Sequence, residues 1–499
     1  MSSRGASTAT APSDERPPTG RLDRYFGITE RGSTTTREVR GGLVTFVAMA
    51  YIVVLNPLII GTVPDSTGAY LGGGDAPDLP AVAAVTALVA GVMTLLMGAV
   101  GKFPLGVAAG LGLNAFVAYG VASLPGMTWA AAMGLVVVEG AVIVVLVLTG
   151  FRRAVLRAVP GQLKTAISVG IGLFLTLIGL VNAGFVRPPE GGGTPLELGV
   201  GGSVVGWPLL VFLTGLFVTV ALVVRGTRGA LLIGVVVATA LALVLQALFD
   251  IGPQAGGDQP NPTGFSLSVP ALPDDWFSLP DLGLVGAVSL LGGVAAVGVI
   301  TAVLVVFTLV VADFFDTMGT MVAVGSEGDL LDEEGNPLGS QRILLVDGLA
   351  AVAGGGASAS SATSFVESAA GVGDGARTGL ASVVTGAAFL LAMFFSPLVA
   401  LVPYEAASPA LVVVGYLMMT QVTGISWDDP GIALPAFLTI VLMPFSYSIT
   451  VGIGAGFLSY VLVAVVRGQA RGIHPLLWVV GAAFLLYFTV GPVQEVLAR

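Results

Sequence analysis

Two aspartates, Asp313 and Asp316, lie close together within LVVADFFDTMGTMVAV (309–324), a run apolar enough to cross a lipid bilayer. A charged side chain at the bilayer centre costs about 2.5–3.5 kcal/mol or more. Together with Thr317 and Thr320, the aspartates follow the i, i+3, i+4, i+7 spacing of one helix face. A polar stripe of this kind faces the interior of a helix bundle. We interpret Asp313 as a ligand-binding or proton-binding group, whereas Asp316 is equally compatible with ligand contact and with a structural role.

Two segments rich in glycine and serine are expected to interrupt helices at membrane depth. They are PLGVAAGLGLNAFVAYG (104–120) and GGGASASSATSFVESAAG (354–371), with Asn114 and Glu367 as their conspicuous polar groups. Irregular backbone at this depth is tolerated only where protein or a water-filled cavity satisfies its hydrogen bonds. Paired, glycine-interrupted segments in two halves of a chain also mark the substrate site of a transporter. We therefore expect Asp313 and Glu367 to converge on one partly dry central pocket lined by both segments.

Three other polar positions in the apolar runs have less specific interpretations. Glu139 stands alone in its run, which favours a structural or helix-pairing role. Asp347 lies five residues after Arg342, close to where its predicted span begins, and we predict no particular function for it. Asn56–Pro57 predicts a kink, with Asn56 lining a cavity as the alternative. Four phenylalanines are expected to pack, and stacking of one of them on a flat ligand is left open: Phe116, Phe314, Phe315 and Phe365.

Membrane-spanning helices must position these groups. The chain has 499 residues, of which 55% are hydrophobic and 10% charged, whereas a soluble domain carries about 25% charge. Runs of about 20 apolar residues, each about 30 Å long as a helix, recur along it. We predict an all-α polytopic membrane protein with fourteen spans, numbered in chain order, near 43–62, 81–100, 103–123, 130–149, 163–183, 207–224, 229–249, 296–325, 343–356, 357–371, 378–401, 408–422, 433–447 and 449–466. The segment LGGV (291–294) is expected to separate span eight from an interfacial piece, and 475–491 forms a fifteenth crossing or lies along the interface.

The distribution of basic residues predicts the orientation, since Lys and Arg mark the cytoplasmic side. The following cations fall on one side if the N terminus is cytoplasmic: Arg37, Arg40, Lys102, Arg152, Arg153, Arg157, Lys164, Arg225, Arg228, Arg377, Arg467 and Arg471. Residues 1–40 are polar and have no apolar core, and we expect a disordered tail at 1–20 and a cytoplasmic lead-in at 21–40. Seven spans precede the polar loop 250–282 and seven follow it. Because seven is odd, a second copy of such a unit starts on the opposite side of the membrane, so a duplication predicts two inverted repeats. We expect the protein in a cell membrane.

The chain contains no cysteine and a single histidine, His474. This excludes disulfides, thiol chemistry and ordinary zinc sites, so no metal and no cofactor is expected. Proton transfer inside the membrane therefore falls to carboxylates. The net charge of −10 comes mostly from loops, and nothing in the pattern indicates a nucleic-acid surface.

An intramembrane protease and a passive channel are the two alternatives to a transporter. GVGD (371–374) matches the GxGD pattern of intramembrane aspartyl proteases, and FFD (314–316) and PAL (409–411) follow their order. Such a protease needs its acid inside the membrane, whereas Asp374 is expected at the cytoplasmic end of span ten, close to Arg377. A passive channel, the other alternative, has no need for two carboxylates buried beside broken helices. The residues favour a transporter over both.

Five long motifs stand out along the chain: TREVRGGLVTFVAMAYIVVLNPLI, GLGLNAFVAYG, DFFDTMGT, SATSFVESAAGVGDGARTGLASVVTG and IALPAFLTIVLMPFSYSI. They resemble, in the same order, the motifs of the AzgA-like adenine, guanine and hypoxanthine permeases of the nucleobase–cation symporter family. The resemblance runs from about residue 22 to beyond 465. It implies proton-coupled import of purine bases. A xanthine-type or uracil-type base, another small anion and sodium coupling stay open as alternatives.

The resemblance also implies an architecture. Two inverted seven-span repeats form a core domain (41–150 and 283–402) and a gate domain (151–282 and 403–499). Spans three and ten are each half helix and half short strand, and the ligand lies where they meet. A homodimer through the gate domains is the implied assembly.

Residue roles carried over from the resemblance centre on three acids. Asp313 and Glu367 are implied to bind the base and couple protons, and Asp316 is implied to matter for the fold or the transport cycle. The other implied substrate-binding positions are a side chain on span three, two stretches of backbone and a threonine on span eight: Asn114, Phe116, Val366 and Thr317. Uracil and xanthine relatives have a histidine or another polar group in place of Thr317, which favours the purine branch.

Overall fold

Helices dominate the chain, as the apolar runs predict. The computed structural model describes residues 20–150, 160–189, 192, 194–254, 261–273, 275–333 and 335–497. Residues 1–19 of the predicted tail and the predicted domain boundary at 151 lie outside this part. Among the described residues, ten helices are long and apolar enough to cross a membrane, and each predicted span corresponds to a helix or to a strand followed by a short helix. The prediction of an all-α polytopic membrane protein is confirmed.

The bounds of the elements follow the predicted spans in order. A short helix, Arg21–Phe26, precedes them. Span one comprises Thr35–Met49 and Ile52–Ile60, and span two comprises Leu79–Leu96 and the π-helix Met97–Gly101. Span three comprises strand Val107–Ala109, helix Leu111–Ala115 and the π-helix Phe116–Val121. Spans four to seven are single helices, in order Trp129–Leu148, Gly161–Asn182, Trp207–Val224 and Ala230–Phe249. Spans eight and nine are the helices Gly292–Glu327 and Ser340–Gly356, and span ten comprises strand Ala362–Ser364 and helix Ser368–Gly373. Span eleven comprises Gly379–Ala392 and Met393–Leu401, and span twelve comprises Tyr404–Met419 and Thr420–Gly424. Spans thirteen and fourteen are the helices Pro430–Phe445 and Ile449–Val466. The remaining elements are a two-stranded hairpin of Val186–Arg187 with Glu197–Leu198, a turn at Ala470–Gly472 and helix Pro475–Leu497, which packs against span fourteen.

Two boundaries differ from the prediction. Span one begins at Thr35 rather than near 43, because the hydroxyl of Thr34 accepts a hydrogen bond from the N–H of Arg37 at 3.3 Å and starts the helix within the polar lead-in. Span eight is helical from Gly292, and its backbone breaks at Gly298, where φ is +77°, rather than at 291–294. Glycine adopts this left-handed φ readily because it has no Cβ.

A small antiparallel strand pair joins spans three and ten at the centre of the fold. Val107 lies opposite Ser364, Ala108 opposite Thr363 and Ala109 opposite Ala362. Flanking hydrogen bonds extend the pairing, from Gly110 N to Ser361 O at 3.0 Å and from Phe365 N to Gly106 O at 2.9 Å. The predicted interruption of both spans by short strands is confirmed.

The spans pack in two groups. Span eleven contacts spans one and two, while span four contacts spans eight and nine. In the second group, span five contacts spans twelve and thirteen, span six contacts spans seven and twelve, and span thirteen contacts span fourteen. The strand pair lies within the first group, against spans two and nine.

Candidate functional site

Asp313 lies at the centre of span eight and is completely buried. Neither of its carboxylate oxygens has a hydrogen-bond partner in the described part of the chain. Among the neighbouring acids, Asp347 of span nine and Glu139 of span four act on it most strongly, and Thr363 and Asp316 also interact with it. A buried acid is costly unless something compensates it.

Asp347 proves to be a central buried residue, and the expectation that it has no particular function needs correction. It is 1% exposed. Its Oδ1 accepts hydrogen bonds from Thr317 Oγ1 at 2.7 Å, Ser364 N at 3.0 Å and Ser364 Oγ at 2.9 Å. Thr317 Oγ1 is also 2.7 Å from Thr363 Oγ1. Asp347 thereby joins spans eight and nine to the strand of span ten.

Glu367 follows that strand and lies in an accessible region with Val366 and Asp316. Val366 is 49% exposed, Asp316 is exposed, and Glu367 is partly exposed. Glu367 Oε1 accepts a hydrogen bond from the hydroxyl of Tyr51 in span one. Asp316 and Glu367 interact electrostatically. Of the two aspartates on span eight, the structure therefore pairs Asp316 with Glu367 and surrounds Asp313 with Asp347 and Glu139.

The predicted positions on span three lie in the helices that follow its strand. Asn114 is completely buried, and neither its oxygen nor its nitrogen has a partner among the described residues. Phe116 is 1% exposed, and its N–H donates to the carbonyls of Gly112 and Leu113. The carbonyl of Val366, by comparison, accepts from Ala369 N at 2.9 Å, and the described residues offer its N–H no partner. Asn114 thus carries buried polar atoms that are unpaired among the described residues.

Two further polar residues link helices. Glu139 Oε1 accepts from Ser361 Oγ at 3.2 Å, which joins span four to span ten. Asn56 donates to Thr86 Oγ1 at 2.8 Å and to the carbonyl of Ala359 at 3.0 Å. Asn56 is completely buried, so it ties spans one, two and ten together.

The aromatic residues of span eight face different neighbours. Phe314 is buried in the core. The ammonium of Lys164, near the start of span five, lies 4.2 Å from the ring centre of Phe315, within the range of a cation–π interaction. Phe315 therefore links the two groups of helices next to Asp316.

Asp374 lies at the surface between spans ten and eleven, where it forms ion pairs with Arg40 and Arg228. Desolvation acts to raise the pKa of this carboxyl, but the hydrogen bonds from Arg228 and Arg40 outweigh it and hold the pKa below its ordinary value. A paired surface carboxylate has no access to a peptide bond inside the membrane. The protease alternative is thereby removed.

This arrangement defines a membrane transport protein, because two unwound spans meet as strands beside unpaired polar groups at the centre of a helix bundle. The match to known proteins gives the family. A family model described as "Permease family" (Xan_ur_permease) matches residues 36–455, and the chain belongs to this family of nucleobase permeases. It is not an enzyme.

Relatives and solved structures agree with this placement. The guanine/hypoxanthine permease PbuG of Bacillus subtilis (strain 168) is 37% identical over 94% of this chain and 99% of its own length. The adenine permease AdeP of Escherichia coli (strain K12) is 33% identical over 94% of this chain and 96% of its own length. The transmembrane domain of the cyanobacterial bicarbonate transporter BicA superposes with a TM-score of 0.56 over 84% of this chain and 96% of that one, at 15% identity. The chain shares the inverted-repeat fold of that transporter.

Sequence reasoning missed two residues, Asp347 and Tyr51. Asp347 gave a weak signal, since it is the one acid inside a helix rich in glycine and alanine. Tyr51 gave no signal in the sequence, because an aromatic residue in an apolar run ordinarily packs against its apolar neighbours.

Proposed function

We propose that this protein imports purine nucleobases, such as hypoxanthine, guanine and adenine, together with protons. The proposal rests on one observation: two relatives named for purine bases each align with 94% of this chain. The accessible region of Glu367, Val366 and Asp316 is the proposed entrance to the base-binding pocket.

Recognition of a purine follows from the hydrogen-bonding groups on its edge. A purine base is flat and neutral and has both N–H donors and N or O acceptors. Carboxylates of Glu367 and Asp316 accept from such N–H groups, and the amide of Asn114 both donates and accepts. A base lacking one of these partners leaves a buried group unpaired, at a cost of about 1–3 kcal/mol. Thr317, already bonded to Asp347, acts on the pocket by fixing span eight.

Proton coupling is assigned to the carboxylates, with Asp313 and Glu367 as the main carriers and Asp316 as a third. A neutral base and one proton carry one positive charge inward. The membrane potential contributes about 2.3 kcal/mol per 100 mV for this charge. At about 1.4 kcal/mol for each tenfold change, 100 mV sustains a gradient of a little under two decades.

Movement of one helix group past the other is the proposed transport step. The first group contains the strand pair and corresponds to the core domain, 41–150 and 283–402. The second corresponds to the gate domain, 151–282 and 403–499. The contact of Phe315 with Lys164 and the ion pair of Asp374 with Arg228 cross between these groups, which supports their role as contacts that change during transport. A cytoplasmic N terminus, a cell membrane location and a homodimer through the gate complete the proposal.

Competition of labelled hypoxanthine uptake by a panel of bases tests the substrate class. Adenine, guanine and hypoxanthine should compete, whereas uracil and xanthine should not, and a protonophore should abolish accumulation. If uracil or xanthine inhibits the uptake more strongly than adenine, guanine and hypoxanthine do, the chain belongs to the uracil and xanthine branch. Uptake that needs sodium and resists the protonophore would replace the proton by sodium.

A further inference from the structure

Span one carries a tyrosine whose hydroxyl reaches the candidate site. Tyr51 lies where Thr35–Met49 ends and Ile52–Ile60 begins, and it is 1% exposed. Its backbone carbonyl accepts from Leu55 N at 2.9 Å, so the residue is fixed at the start of the second helix. Its hydroxyl donates to Glu367 Oε1, and it also interacts electrostatically with Asp316. Tyr51 is thus a neutral hydrogen-bond donor beside two carboxylates.

We propose that Tyr51 is the positioning residue for Glu367 in proton-coupled transport, an inference that rests on the proposed function. A phenol hydroxyl can both donate and accept a hydrogen bond. It donates to Glu367 while the carboxylate is ionised and accepts from it once the carboxyl carries a proton. The bond therefore persists through both protonation states, and it involves only one of the two carboxyl oxygens of Glu367.

The location of the two residues makes this bond significant for transport. Glu367 follows the strand Ala362–Ser364, and Tyr51 belongs to another span, so the bond fixes the end of the strand from outside span ten. Ser368, the next residue along, is fixed in a similar way, because its hydroxyl accepts from Gly106 N at 2.9 Å. Only the Tyr51 contact, however, involves a group that changes its charge when a proton binds.

The substitution Tyr51→Phe keeps the ring and removes the hydroxyl. A hydrogen bond to a charged group is worth enough that its loss should raise the KM for hypoxanthine about tenfold or more. A donated hydrogen bond favours the ionised carboxylate, so its removal should also move the pH profile of uptake to higher pH. Tyr416→Phe is the matched control, because Tyr416 is 60% exposed on span twelve, and it should leave both quantities unchanged. A wild-type KM and pH profile for Tyr51→Phe would overturn the inference.

A double-mutant comparison separates positioning from packing. If Tyr51 acts through Glu367, Tyr51→Phe should add no further loss of hypoxanthine binding to Glu367→Gln, measured by the ligand-induced rise in Tm of the purified protein. Additive losses would contradict the inference. If Tyr51→Phe fails to accumulate as folded protein, Glu367→Asp withdraws the carboxylate from Tyr51 and should shift the pH profile in the same direction. An unshifted profile for Glu367→Asp would then count against it.

The failure of this inference is distinguishable from failure of the proposed function. Wild-type protein that imports no purine base would refute the proposed function. Wild-type import with an unchanged Tyr51→Phe variant would refute only the role of Tyr51.

Discussion

Thr317 of span eight donates a hydrogen bond of 2.7 Å to Oδ1 of Asp347 in span nine, and the same oxygen accepts from the backbone and side chain of Ser364 in span ten. Three separate spans are thus held by one buried carboxylate. The position of the strand pair, and with it the position of Glu367, depends on this junction.

Removal of the Thr317 hydroxyl should therefore destabilise the protein. Thr317→Val takes one donor from a buried carboxylate, which costs about 1–3 kcal/mol, and should lower the Tm of the protein in detergent. Thr308→Val is the matched control, since Thr308 is on the same helix and equally buried, but its hydroxyl has no partner among the described residues. The Tm of Thr308→Val should stay close to that of the wild type. Equal Tm values for the two variants would contradict the structural role of Asp347.

The accessibility of the region around Glu367 can be tested by thiol labelling, because the chain contains no cysteine of its own. Val366→Cys should react with a water-soluble maleimide, since Val366 is 49% exposed. Ala108→Cys should not react, because Ala108 is completely buried in the paired strand. Hypoxanthine should slow the labelling at position 366. Labelling at an equal rate with and without the base would show that Val366 lies outside the binding site.

The stability contribution of Asp374 should depend on pH in a defined direction. Because the pKa of Asp374 is lowered in the folded protein, its contribution is complete above the ordinary aspartate value of about 3.9 and is lost as the pH falls through the lowered value. The Tm difference between wild type and Asp374→Asn should thus be small at pH 7, in keeping with about 0–1 kcal/mol for a surface ion pair. It should persist at pH 5 and shrink only in stronger acid. The exposed Asp75 provides the control, and Asp75→Asn should show no such dependence. A difference that disappears already between pH 7 and pH 5 would argue against the pairing.

Close packing of spans two and eleven should not tolerate a methyl group. A Cβ added to Gly379 would meet the carbonyl of Gly98 and lie 2.9 Å from Cα of Lys102, whereas a Cβ at Gly319 meets nothing within 4 Å. Gly379→Ala should therefore lower stability by about 1–3 kcal/mol, and Gly319→Ala should not, as measured by thermal unfolding. A Gly379→Ala variant as stable as the wild type would show that the two spans can move apart.

Much of the fold could be predicted because its signals are local. Runs of apolar residues defined the spans, and the glycine and serine content of 104–120 and 354–371 marked the two that unwind. The polar stripe indicated an inward-facing helix side, and Asp313 and Thr317 are indeed buried, whereas Asp316 is exposed. Periodicity alone could not tell which glycine breaks span eight, since Gly292, Gly293 and Gly298 all occur there and only backbone geometry selects Gly298.

The site was harder to predict because it depends on contacts between distant segments. Helical spacing places Asp313 and Asp316 on one stripe, yet one turn of helix separates a completely buried acid from an exposed one. Asp347 becomes central only when the strand of span ten brings Ser364 against it. The convergence of Asp313 and Glu367 on one pocket stays a prediction.

The most direct test of the central claim is accumulation of labelled hypoxanthine by purified protein in liposomes with an imposed potential, negative inside, and an acidic exterior. The wild type should accumulate the base without sodium, and a protonophore should abolish the gradient. Glu367→Gln should lose this concentrative uptake while Tyr416→Phe retains it, and the same comparison with Asp313→Asn assigns the second carrier. Concentrative uptake that is unaffected by the protonophore, or that survives in a protein with both Asp313→Asn and Glu367→Gln, would contradict proton coupling through these acids.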